Sequence, residues 1–134
     1  MNFKPVDLVP PNSTVIVHLD LDLPIENGKI IDNYRLVKSL STINKLLTAN
    51  CQLIVIGHCG RPAVAGDEKY TTKPMYLELM SLLNNNYQSL FLENLDDIEI
   101  VKLAISQNQI IFLENIRFWP GETTNDPTFL RPLI

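Results

Sequence analysis

Short apolar runs that alternate with amphipathic stretches constrain this chain more than any other feature. "QLIVIG" (Gln52–Gly57) and "QIIFL" (Gln109–Leu113) are continuously apolar, the pattern of strands buried on both faces of a parallel sheet. "STVIVHLDLDLP" (Ser13–Pro24) alternates with a period of two, and "SLFL" (Ser89–Leu92) is a further short β-rich run. Three helical patterns separate them. "DNYRLVKSLSTINKLLTAN" opens on Asp32, an expected N-cap, and carries Leu36, Leu40, Ile43 and Leu47 on one stripe. "KPMYLELMSLLNNN" has Pro74 in its first turn and asparagines at its end, and "DDIEIVKLAISQ" supplies the third helix. "NGK" turns the chain after the first strand. The order βαβαβαβ predicts an α/β fold, a three-layer αβα arrangement around a mainly parallel, Rossmann-like sheet.

Composition narrows the function. A chain of 134 residues is one domain by length, with no linker or repeat, and 46% hydrophobic against 19% charged residues excludes disorder. The net charge of −4 offers nucleic acid or a membrane surface no overall attraction, so an anion site must come from a local cluster of cations. No stretch has the length and apolarity of a membrane span, and "MNFKPVDLVPP" has no apolar leader region; a cytoplasmic protein is expected. Cys51 and Cys59 match neither a redox nor a zinc spacing and are expected to be free thiols. His18, His58 and Cys59 lack the further spaced ligands that zinc requires.

Open parallel sheets bind ligands beyond the carboxyl ends of their strands, and there this sequence places its unusual residues. Alternation puts Val15, Val17, Leu19, Leu21 and Leu23 on one face of the first strand and His18, Asp20 and Asp22 on the other. That polar row also fits the solvated face of an edge strand. The second strand runs into Gly57, His58, Gly60 and Arg61, the last into Glu114, Asn115 and Arg117. Arg35 falls in the first turn of its helix, where the macrodipole disfavours a cation. Either Asp32 or Glu26 pairs with it, or it faces a bound anion together with the helix N-terminus. Phe118 and Trp119 are expected to pack under the loop after the last strand. A phospho-accepting receiver domain is excluded, because the middle strand exits in Gly57 and His58 instead of an aspartate.

Four blocks in order, "VIVHLDLDLP", "DNYR", "VIGHCGRP" and "IIFLENIRFWPGE", resemble the N-terminal domain of the phosphoglycerate kinase family from about Val15 onward. The resemblance implies a substrate domain over residues 1–134 that binds 3-phosphoglycerate, with Mg-ATP held by a C-terminal domain that these residues do not contain. It implies that Asp20 and Asp22 contact the substrate and that His58, Arg61 and Arg117 hold its phosphate and neighbouring groups. Arg35 would sit nearest the carboxylate and stabilise the phosphoryl group in flight. The partners it implies are 3-phosphoglycerate and the nucleotide-binding domain, in cis or in trans, with no nucleic acid and no membrane.

Those residue types suit the reaction. A carboxylate acceptor is already ionised at neutral pH, so no general base is needed. Two approaching anions must instead be neutralised and aligned, and arginine forks do both while staying charged. Three features depart from the family pattern. Asp22 replaces an asparagine, His18 replaces an arginine, and none of the five glycines forms a phosphate-binding loop. A helix opening at Asp126 and Pro127 would be broken by Pro132. His18 and Asp22 favour an alternative from another class, a non-catalytic phospho-ligand binding or interaction module.

Overall fold

The computed structural model describes residues 5–119 except Ala65, Leu95 and Asp97. The helix expected from Asp126 lies outside the described residues. Four parallel strands form the main sheet: β1 (Thr14–His18), β4 (Gln52–Ile56), β5 (Ser89–Leu92) and β6 (Ile110–Leu113). A small antiparallel ribbon, β2 (Ile25–Glu26) with β3 (Lys29–Ile30), follows β1. Asn27 and Gly28 join its strands with φ of 53° and 75°, the left-handed pair that a tight two-residue hairpin requires. The helices are α1 (Tyr34–Thr48), α2 (Lys73–Leu82) and α3 (Ile98–Gln107).

Strand order is β1-β4-β6-β5, so the connection carrying α2 passes over β6 and α3 brings the chain back. Right-handed crossovers put helices on one face when the chain moves one way along the sheet and on the other when it returns. The packing follows that rule. Leu53 and Val55 of β4, with Ile110 and Phe112 of β6, meet Leu36, Ile43, Leu46 and Leu47 of α1 and Met75, Leu79 and Met80 of α2. Ile54 and Ile56, with Ile111 and Leu113, face Val101 of α3 on the opposite side. Leu19, Leu21 and Leu23 extend the first layer beyond the end of β1, which is shorter than the alternation suggested. β1 lies at the edge of the sheet, the alternative that its polar row also fitted, and its outer positions Thr14, Ile16 and His18 are exposed. Trp119 packs on the α3 side of the core, and Cys51 and Cys59 are buried free thiols.

Local details differ by a residue or so from the sequence pattern. The N-cap of α1 is Asn33, one position after Asp32. Asp32 still serves the helix end, because its carboxylate accepts the Tyr34 N–H at 2.9 Å, while Asn33 donates to Glu78 of α2 at 2.8 Å. The asparagines after α1 and α2 do terminate them: Asn50 and Asn84 take left-handed φ of 58° and 59°.

Gly57 is where the core meets the carboxyl edge of the sheet. A Cβ there would lie 2.6 Å from Leu21 Cδ1 and 2.7 Å from the Leu19 carbonyl oxygen. The backbone oxygen cannot step aside without moving the segment that carries His18 and Asp20. Gly57→Ala is therefore expected to destabilise the domain by about 1–3 kcal/mol, the usual effect of overpacking. Equilibrium urea unfolding of the variant beside the parent measures it, and a stability unchanged by the extra methyl would refute the close approach.

Candidate active site at the carboxyl edge of the sheet

The segment after β1 runs extended along the sheet edge and turns its polar side chains outward, as alternation requires. Leu19, Leu21 and Leu23 point into the core, and Asp20 and Asp22 are exposed. Next to them β4 ends in Gly57 and His58, and α1 begins with Tyr34 and Arg35. These elements surround an open cleft of about 500 Å³ lined by His18, Leu19, Asp20, Asp22, Arg35 and His58. Four of the six residues expected from the sequence, Asp20, Asp22, Arg35 and His58, thus share one wall system.

Arg35 is the centre of its polar contacts. One guanidinium nitrogen lies 3.1 and 3.0 Å from the two carboxylate oxygens of Asp20 and donates to the Asp22 carbonyl at 3.0 Å. The partner is therefore Asp20, neither Asp32 nor Glu26: those two flank the helix start in sequence, but the extended segment carrying Asp20 passes directly across it. Both side chains of the pair are more than half exposed, so its contribution to stability is small, about 0–1 kcal/mol. The Asp22 carboxylate accepts the Gly60 N–H at 3.2 Å.

The two remaining expected residues stand apart from the cleft walls. Arg61 is exposed on the loop after β4. Arg117 follows β6 and donates from its guanidinium to the Gly60 carbonyl at 2.8 Å, fastening the same loop from the other side. Gly60 itself has φ of 62° and sits against the Tyr70 ring, which leaves no room for a side chain.

In the sequence Glu114 and Asn115 are simply polar groups at a strand exit. They are the clamp of the site. Glu114 accepts from Thr71 Oγ1 at 2.6 Å, from the Thr72 N–H at 2.8 Å and from the Asn115 N–H at 2.8 Å, which places a carboxylate at the positive end of α2. Asn115 is fully buried and donates to the carbonyls of Cys59 and Tyr70 at 2.7 and 2.8 Å. Burial, reinforced by the charges of Asp22 and Glu114, pushes the Cys59 thiol up from its ordinary value, so it stays protonated and unreactive beside the cleft. Among the described residues no group of three or more His, Cys, Asp or Glu side chains could hold a metal ion, and no helix is long and apolar enough to cross a membrane.

Residues 6–134 match the family model for phosphoglycerate kinase. The chain belongs to the phosphoglycerate kinase family. It is 31% identical over 128 residues to the phosphoglycerate kinase of Akkermansia muciniphila and 35% identical over 127 residues to that of Moorella thermoacetica. Those alignments cover 96% and 95% of this chain but 32% of each relative. Among solved structures, phosphoglycerate kinase from Pyrococcus horikoshii superposes with a TM-score of 0.76 at 25% identity, over 98% of this chain and 34% of that one. The Coxiella burnetii phosphoglycerate kinase superposes with a TM-score of 0.72 at 26% identity, over 94% of this chain and 30% of that one. The expected α/β fold with helices on both faces of a parallel sheet is that of these neighbours. The 134 residues span about a third of the family members they match.

Proposed function

We propose that this chain is the substrate-binding half of a cytoplasmic phosphoglycerate kinase, taking up 3-phosphoglycerate for reversible phosphoryl transfer with ATP in glycolysis. One observation carries the reading: Asp20, Asp22, Arg35 and His58 converge from three separate elements on one cleft at the carboxyl edge of the sheet. Arg35 supplies a fixed cation at the mouth, beside the N-terminus of α1, for the carboxylate and the phosphoryl group in flight. Arg61 and Arg117, on and against the loop that follows His58, hold the phosphate. Magnesium nucleotide, which supplies the phosphoryl group and offsets its charge, is bound by a second half in cis or in trans; the four site residues named here position the acceptor.

The test is a titration of the chain with 3-phosphoglycerate followed by amide NMR. His58, Arg61 and Arg117 are expected to shift together, and the binding to weaken with salt because it is mainly ionic. The chain without a nucleotide-binding half is expected to form no 1,3-bisphosphoglycerate. A second reading, a phospho-ligand module without catalysis, is favoured by the second carboxylate of the cleft, Asp22. Asp22→Asn separates the two. The amide oxygen can still accept the Gly60 N–H, so the fold is retained, and the charge facing an anionic substrate is gone. Affinity for 3-phosphoglycerate is expected to rise a few-fold, from about 1 kcal/mol of relieved repulsion. Unchanged affinity, or shifts scattered over the helices, would support the non-catalytic module.

A further inference from the structure

The charged side chains on the cleft walls themselves attract an anion only weakly. Arg35 contributes one positive charge, and Asp20 and Asp22 contribute two negative ones. The Arg35 charge is moreover engaged by Asp20 at 3.0 Å. The other two polar side chains on the walls are His18 and His58, and they are the only two histidines of the chain. Histidine is the side chain that changes charge between about pH 5 and 8. With both imidazoles neutral the lining sums to −1; with both protonated it sums to +1. The charged groups on the same walls are Asp20 and Asp22 after β1 and Arg35 of α1; Arg61 after β4 and Glu114 and Arg117 after β6 lie outside those walls.

We propose that anion binding in this cleft is coupled to proton uptake by His18 and His58, so that the ligand and the protons enter together. This rests on the reading of the cleft as an anion site, but adds that its attraction is switched on by acid. His18 is exposed at the end of an edge strand, placed to meet a ligand without disturbing the core. Ligand bound beside a protonated imidazole must raise that imidazole's midpoint, and by the same linkage affinity must rise as pH falls through it.

A phosphate monoester loses charge itself near pH 6 and would mask the effect. Inorganic sulfate keeps its charge throughout and is the probe. The imidazole ring signals of the full chain are followed by NMR across about pH 5 to 8, in sulfate and in chloride at equal ionic strength. Both midpoints are expected to rise in sulfate, and sulfate to bind about tenfold more tightly near pH 6 than near pH 8. His18→Gln should reduce that ratio to the share of His58. His18→Arg should raise affinity at the alkaline end and flatten the profile to the same remaining share. Midpoints that stay put in sulfate would overturn the coupling, whatever 3-phosphoglycerate does. Midpoints that rise in sulfate while 3-phosphoglycerate leaves the cleft unperturbed would uphold the coupling and remove the assigned substrate.

Discussion

Asn115→Asp is expected to lower stability by about 3–5 kcal/mol, a large part of what holds a domain of this size together. Asn115 is fully buried, and its amide nitrogen donates to two carbonyls, those of Cys59 and Tyr70. A carboxylate of the same shape donates to neither and faces both with negative charge. Each buried carbonyl left without a donor costs about 1–3 kcal/mol. The Asn115 side-chain oxygen accepts the Arg117 N–H at 3.0 Å, a bond that the carboxylate preserves, so the loss isolates the two donor contacts. In melting temperature the loss corresponds to about 10–20 °C. It should also depend on pH in a definite direction. Burial beside carbonyl oxygens raises the folded-state pKa of the new carboxyl above its unfolded value of about 4, so the folded state holds the proton more tightly. The variant therefore regains stability as pH falls and loses it as pH rises, and it should lie closer to the parent near pH 5 than near pH 8. Melts at both values decide the matter, and a variant within two or three degrees of the parent at pH 8 would show that the clamp is dispensable.

The same residue marks the boundary of what the sequence discloses. The two faces of β4 and β6 are legible because alternate residues of "LIVI" and "IIFL" are all apolar, so each strand needs a helix layer on both sides. The cleft is legible for a related reason. Period-two alternation after β1 sends the leucines inward and must send Asp20 and Asp22 outward together. Strand order is not written in either pattern. Because β6 inserts between β4 and β5, the exit of β6 comes to lie beneath the loop of residues 57–72, which precedes it by more than forty positions. Only that insertion turns Glu114 into the anion at the start of α2 and Asn115 into the bridge between Cys59 and Tyr70. The local string offered a carboxylate and an amide beside an arginine, which reads equally well as ligand-binding chemistry. The partner of Arg35 was hidden for a similar reason: Asp20 lies across a hairpin from it, while Asp32 and Glu26 are nearer along the chain.

Arg35→Ala is expected to leave the fold nearly untouched and to weaken 3-phosphoglycerate binding by about tenfold to a hundredfold. The stability side follows from exposure. Its ion pair with Asp20 is open to solvent, and a cation in the first turn of α1 opposes the helix dipole, so the two effects of removal nearly cancel. The binding side follows from the contacts. The guanidinium now spans Asp20 and the Asp22 carbonyl, and under the proposed function a substrate oxyanion would compete for the same donors. Charge-assisted hydrogen bonds of this kind contribute about 1.5–3 kcal/mol, which is the stated range of affinity. Arg35→Lys keeps the charge and loses the planar fork, so it should fall between the parent and the alanine variant. Asp20→Asn gives the complementary result if Asp20 acts as a competitor for the guanidinium: binding should tighten, with the melting temperature within a few degrees of the parent. When the chain is assembled with a nucleotide-binding half, the loss from Arg35→Ala in turnover should exceed the loss in affinity, reaching about a thousandfold, because the guanidinium would also stabilise the charge spread over the phosphoryl oxygens in the transition state. Calorimetric titration with 3-phosphoglycerate and thermal melts on the same samples separate these effects. A variant that melts as the parent does and binds within twofold of it would remove Arg35 from the site.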